Sequence, residues 1–225
     1  MGRDDVYAAV DALLSDCVLK PDPVLDRIAA ASEAAGLVPH AVTPLQAAFL
    51  AMLIKISGAR SVLEIGCLGG FSAVAMARAM PRDGRVLTTE IDTRTAQVAQ
   101  ANIEASGFGD RVELITGPAM TALDAAAAAG RRFDFVFIDA DKVNHKSYLE
   151  RSLGLAAPGA IIVADNVVRG GAILEAESRE NSVKGVREML AYAKTLDKVE
   201  MTALQTVGEK GHDGFAMFRV ADEAL

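Results

Sequence analysis

Between Ser61 and Ala164 five short apolar runs are separated by four longer stretches of helical periodicity. The runs are Ser61–Ile65, Arg85–Glu90, Val112–Thr116, Phe133–Ile138 and Ala160–Ala164. The intervening stretches are Ser72–Met80, Thr93–Ser106, Met120–Ala129 and Ser147–Ala156. Near-continuous apolar runs of this length read as strands covered on both faces. Strands separated by a helix pair in parallel, through right-handed crossovers. The pattern therefore predicts an α/β, doubly wound, mostly parallel sheet. A further helix, Ser182–Thr195, precedes two final runs, Val199–Gln205 and Phe215–Val220. Only the loop Val207–Gly214 joins these, so they form an antiparallel C-terminal edge hairpin and complete a seven-stranded sheet.

Ahead of the first strand lie three helices. Asp4–Leu19 carries Val6, Val10, Leu13, Leu14 and Cys17 on one face. Pro21 and Pro23 break it, and Asp22 caps a second helix that runs to Ala35 and stops at Gly36. Val38–Thr43 links to a third, Leu45–Ser57, opened by Pro44 and closed by Gly58. Residues 1–58 are too few for a domain of their own, and 1–225 reads as a single domain with an N-terminal helical cap. The N-terminus is acidic rather than basic, unlike a signal peptide, and no apolar run reaches the roughly 18 residues of a membrane span. Cys17 and Cys67 form no metal-binding or disulfide pattern and read as reduced thiols of a cytoplasmic protein. A net charge of -7 and no tryptophan disfavour a nucleic-acid partner.

In such sheets ligands bind beyond the carboxyl ends of the strands, near the switch in strand order. Gly66, Gly69 and Gly70 follow the first strand there. Leu68 fills the second glycine position of a dinucleotide fingerprint, and no Gly-Lys-Ser/Thr follows, so NAD and Walker-type phosphate binding are both disfavoured. Glu90 ends the second strand, where an acid accepts hydrogen bonds from ribose hydroxyls. Glu64 interrupts an apolar strand. A buried carboxylate needs donors from its own turn or a cationic ligand. Asp139-Ala140-Asp141-Lys142 ends the fourth strand and Asp165-Asn166 the fifth. Alone, each reads as a cap or a turn. Together at neighbouring strand ends they offer hard oxygen ligands, suited to Mg²⁺, Mn²⁺ or Ca²⁺ rather than zinc.

The segments LEIGCLGGFSA, TTEID, FVFIDADK and IIVADN, in this order and spacing, resemble the cation-dependent O-methyltransferases of the caffeoyl-CoA and catechol type. The resemblance runs from the N-terminal helices to the GHDGF segment. It implies S-adenosylmethionine as cofactor, together with a divalent cation, Mg²⁺ first. It assigns Val42, Glu64, Gly66, Cys67, Ser72, Glu90, Ala119 and Asp139 to the cofactor. Asp139, Asp165 and Asn166 match the metal ligands. Asp141, Lys142 and Asn166 match the acceptor side, with Lys142 and Asp139 as the catalytic pair. It also implies a homodimer acting on a small aromatic diol. The third helix departs from the family, carrying Ala47-Ala48 where Gly-Gln is common.

Competing readings are a methyltransferase for another acceptor (a CoA ester, a flavonoid or RNA), an aminopropyl transferase, and a non-catalytic nucleotide-binding module. The acidic pairs with Lys142 favour metal-assisted transfer to oxygen. No N-terminal basic patch matches one that would hold CoA; Lys20, Arg27 and His40 are candidates for the acceptor mouth but read first as surface residues and, for His40, a cap. His145 reads as the start of a helix. The segment 167–181 reads as a loop over the acceptor, and its Arg169 is available to an acidic acceptor group.

Overall fold

The computed structural model describes residues 2–222. Met1 and residues 223–225 of the domain read over 1–225 lie outside the described residues. Helices α1 (Arg3–Val18), α2 (Pro23–Ala34) and α3 (Pro44–Ser57) precede β1 (Ser61–Ile65). Then follow α4 (Phe71–Ala79), β2 (Arg85–Glu90), α5 (Thr93–Ala105), β3 (Val112–Thr116), α6 (Ala119–Ala128) and β4 (Phe133–Ile138). The chain ends with α7 (His145–Leu155), β5 (Ala156–Asp165), α8 (Asn181–Ala193), β6 (Val199–Gly208) and β7 (Gly211–Val220).

The seven strands lie in the order β3-β2-β1-β4-β5-β7-β6. All pairs are parallel except β5–β7 and β6–β7. From β1 the chain winds outward to β3, then returns and winds the other way from β4. The switch in direction opens a crevice between the carboxyl ends of β1 and β4. Alternate residues of each central strand feed two cores. Leu63, Ile65, Val136 and Ile138 pack with α6, α7 and α8. Val62, Phe135, Phe137 and Val163 pack with α2, α3, α4 and α5. Burial on both faces is why these strands lack the polar alternation of a one-sided sheet.

Local signals explain most helix starts. Asp22 accepts hydrogen bonds from the Val24 and Leu25 amides at the head of α2. Thr43 and Gln46 form a reciprocal capping box at α3. Four expectations are corrected. The strand expected over Ala160–Ala164 begins earlier, at Ala156, and its pairing with β4 shifts register between Phe133 and Phe135. The helix read over Ser147–Ala156 begins two residues earlier, at His145, where the reading of His145 as a helix start places it, directly after a 3₁₀ turn over Lys142–Asn144. The loop expected over Val207–Gly214 is a tight hairpin, with pairing from Val199↔Val220 to Gly208↔Gly211. Its polar, half-exposed ends carry no apolar alternation, so the sequence pattern stops short of the real strand ends.

The fourth correction concerns α1. Its apolar stripe does not enter the core: Val6, Val10, Leu13, Leu14 and Cys17 are exposed. The helix instead turns Tyr7, Ala8, Asp11 and Ser15 inward, and Asp11 accepts a hydrogen bond from the Glu209 amide at the hairpin tip. Packing α1 on edge strand β6 thus selects a mixed face over the apolar one. No helix of the described residues is long and apolar enough to cross a membrane.

Candidate active site

The glycine turn is held from two sides. Gly66 has φ +101°, and a Cβ there would lie 2.3 Å from the Asp139 carbonyl oxygen. Only glycine lets the end of β1 touch the end of β4 in this way. The Gly66 and Cys67 amides donate to the Thr89 carbonyl, and the Leu68 amide donates to Glu90 Oε2 at 2.9 Å. Glu90 Oε1 accepts from the Asp92 amide at 3.0 Å. Glu90 therefore locks the turn to β2, and its remaining lone pairs face the cavity described below.

Glu64 pairs in register with Thr88 of β2. Thr88 Oγ1 donates to its Oε2 at 2.5 Å, and among the described residues Oε1 has no partner. Burial, at 0% exposure, pushes this carboxyl up to about 8, and the Ser72 and Thr88 hydroxyls oppose the shift. An orphaned oxygen on a buried acid beneath a glycine turn fits a cationic group, such as the ammonium or sulfonium of S-adenosylmethionine. Burial likewise pushes the adjacent Cys67 thiol up, which leaves it a neutral wall rather than a nucleophile.

The second cluster lies where β4 and β5 run side by side, Ile138 opposite Ala164. Asp139 and Asp165 are the next residues on each strand. Lys142 Nζ donates to Asp139 Oδ1 at 2.9 Å, and both side chains are largely buried. Burial, and then the Asp139 charge, push Asp165 up to about 7. Asn166 follows with φ +59°, a left-handed conformation that asparagine tolerates. Among the described residues no three His, Cys, Asp or Glu side chains converge as a metal-binding group. A cation here would rest on two carboxylates and one amide. That donor set fits a hard divalent ion, and the raised Asp165 marks negative charge lacking compensation.

A cavity of about 1200 Å³ joins the clusters. Val42, Gly66, Cys67, Ser72, Glu90, Ala119, Asp139, Asp141, Lys142 and Asn166 all line it. Glu64 stands behind the wall. Asp165 faces a neighbouring apolar cavity of about 330 Å³, lined by Val42, Phe49, Leu50, Phe137, Val163 and Phe215 among others. Phe49 and Phe215 meet there with centroids 5.0 Å apart and their rings tilted by 41°. Asn166, His40 and Lys210 border both spaces. Lys20 lines a separate groove by α2 and α4. Asp141 is less free than an acceptor-side residue would be: Tyr148 Oη donates to one oxygen and Asn144 Nδ2 to the other, each at 2.6 Å.

Several contributors escape sequence reading. Lys210, on the hairpin tip, donates to the Ala41 carbonyl and feels the charges of Asp139 and Asp165, while burial pulls its pKa down. Asp213 Oδ1 accepts from the amides of Val168, Arg169 and Gly214, pinning the loop after β5. Gly185 lets α8 sit against the 142–144 turn, since a Cβ there would meet the Lys142 carbonyl at 2.2 Å. His145 starts α7 fully buried, with burial and the charges of Lys142 and Arg169 pulling its pKa down to about 3.

Strand order, the glycine turn after β1 and the acid ending β2 define the fold of the class I S-adenosylmethionine-dependent methyltransferases. The comparisons narrow this. The family model described as O-methyltransferase matches residues 19–218, and the chain belongs to that family. It is 46% identical over 208 residues to a catechol O-methyltransferase of Mycobacterium tuberculosis, covering 92% of this chain and 93% of that one. An O-methyltransferase from Bacillus cereus, solved in complex with SAH, superposes with a TM-score of 0.94 at 42% identity, over 96% of this chain and 99% of that one. The Streptomyces achromogenes O-methyltransferase TomG, involved in tomaymycin synthesis and solved with SAM, gives 0.94 at 36% identity, over 98% and 100%. The protein is an S-adenosylmethionine-dependent O-methyltransferase.

Proposed function

We propose that the protein methylates one hydroxyl of a vicinal aromatic diol of the catechol type, with a divalent cation held by Asp139, Asp165 and Asn166. The observation that carries this is the meeting of two carboxylates and an amide at the ends of β4 and β5, beside Lys142 and in reach of the glycine-turn cavity. The relative named catechol O-methyltransferase supports the choice of acceptor. S-adenosylmethionine, when bound, supplies an electrophilic methyl group on a sulfonium. A divalent cation, when bound, draws charge from the diol oxygens and makes the phenol more acidic.

The protein's own residues do the rest. Glu64 and the turn 66–72 hold the methionine end of the cofactor, Glu90 its ribose, and Ala119 and Val42 flank it. Lys142 handles the phenolic proton at Nζ, either taking it or donating a hydrogen bond to the phenolate. The apolar wall of Val42, Phe49 and Phe215 excludes water and takes hydrocarbon of the acceptor. Fixing both reactants along one line supplies much of the rate.

Labelled cofactor offered with simple catechols, caffeoyl-CoA and flavonoids tests this. Catechols should be methylated with Mg²⁺, fall silent with EDTA, and recover when metal returns. Full-rate methylation after EDTA treatment sinks the metal role. The exposed Leu13 on α1 and Leu204 on β6 lie on elements packed together, which supports a homodimer across that edge. Light scattering at the mass of one chain would reject it.

A further inference from the structure

Arg169 is a charged side chain of the large cavity with no role in the scheme above. Arg169 follows Asn166 by three residues and lines the cavity together with Lys142, Asn144, Tyr148 and Ser182. It sits at φ +58°, held there because Asp213 Oδ1 accepts its amide at 3.0 Å. Non-glycine residues kept in this region are frequent at ligand-contacting positions. Its Nε is buried without a partner, and among the described residues no carboxylate pairs with its guanidinium.

None of the acids on the same cavity wall pairs with Arg169. Glu90 accepts two amides, Asp139 holds Lys142, and Asp141 is occupied by Tyr148 and Asn144. The nearby His145 is fully buried, where burial and the charges of Lys142 and Arg169 disfavour its protonated form, and an imidazole in either form supplies no negative charge. A half-buried guanidinium without a counter-ion is costly, and its planar fork matches a carboxylate. The loop that carries it leaves the strand end bearing Asp165 and Asn166, and Arg169 borders the same large cavity as Asn166 and Lys142, so its guanidinium is open to a ring substituent that extends into this cavity rather than toward the apolar wall.

We propose that Arg169 recognises an anionic substituent, a carboxylate, on the acceptor, making the preferred substrates acidic catechols. This rests on the catechol reading and deepens it. The test compares 3,4-dihydroxybenzoate with its neutral near-isostere 3,4-dihydroxybenzamide, in wild type and in Arg169→Gln and Arg169→Lys.

Wild type should show the lower KM for the acid. In Arg169→Gln the acid's kcat/KM should fall about tenfold to a hundredfold more than the amide's, mostly through KM, since charge-assisted bonds are the strong ones. Arg169→Lys should recover part of the difference. Equal losses for acid and amide overturn the proposal, as does a wild type that does not distinguish them. A loss confined to the affinity for S-adenosylmethionine, read by calorimetry, would assign Arg169 to the cofactor instead and also overturn it. If neither compound is turned over, the catechol reading fails separately. Calorimetry of both compounds, in wild type with SAH and Mg²⁺, still reads the acid's advantage without any variant having to fold.

Discussion

Glu64→Gln isolates the buried charge beneath the glycine turn. In the wild type the carboxyl is fully buried and raised from 4.5 to about 8, chiefly by burial. Its folded value lies above its unfolded one. The stabilisation it gives is therefore fully present below pH 4.5 and is lost as pH rises through 8. At about 1.4 kcal/mol per pH unit the loss is on the order of 5 kcal/mol across that window. Glutamine is isosteric and does not titrate, so the variant's stability should run flatter between pH 5 and 8 and exceed the wild type's above pH 8.

Cofactor binding should move the other way. At pH 7 only about one molecule in ten has Glu64 ionised. A cationic cofactor selects that ionised form, so affinity for S-adenosylmethionine should rise about tenfold per pH unit from pH 5.5 to 7.5, a window below the ordinary α-amino pKa of about 8. Nearly one proton should be released per cofactor bound. Calorimetry in buffers of different ionisation enthalpy measures both quantities. In Glu64→Gln the slope and the proton release should vanish, and affinity should be weaker at pH 7.5. A wild-type affinity that is flat with pH, or a variant that keeps the slope, would refute the reasoning that Glu64, buried behind the cavity wall, answers the cofactor's positive charge.

Other perturbations follow from the same geometry. Lys142→Met should lower kcat by about 10²–10⁴-fold, the range for a proton-handling side chain, with cofactor affinity kept; turnover near wild type rules Lys142 out of that role. Asp165→Asn should abolish Mg²⁺-dependent turnover. Because the folded Asp165 is raised to about 7, wild-type stability falls as pH rises through 7, and the variant should melt higher than metal-free wild type at pH 8. Gly66→Ala puts a Cβ 2.3 Å from the Asp139 carbonyl at φ +101°, which should cost about 2–4 kcal/mol. At about 2–4 °C per kcal/mol for a chain of this size, a melting point within 2 °C of wild type would contradict the contact.

Much of the candidate site was legible because it sits on local signals. Gly66, Glu90, Asp139 and Asp165 each end an apolar run, and in a parallel sheet all such ends face one way. Their spacing therefore reports one edge before any pairing is known. The strand register was not legible: nothing in the run VLEIG says that Thr88 stands opposite Glu64. The α1 stripe misled because periodicity reports which residues are apolar, while the available partner, edge strand β6, selected another face of the helix.

The alternation of apolar runs, the glycine after β1 and the acids at strand ends determine, by sequence alone, the doubly wound fold and its ligand edge, while the methyl-transfer chemistry entered through the resemblance of those segments to a known family. Only the tertiary structure decided the charge state of that edge. Burial raised Glu64 and Asp165, hydrogen bonds engaged Asp141 and Asp213, and Arg169 was left without a counter-ion. The physical reason is that chain order sets which groups share an edge. Desolvation and pairing depend on what folds over them from more than a hundred residues away, as when the hairpin tip brings Lys210 to Ala41, 169 residues earlier in the chain.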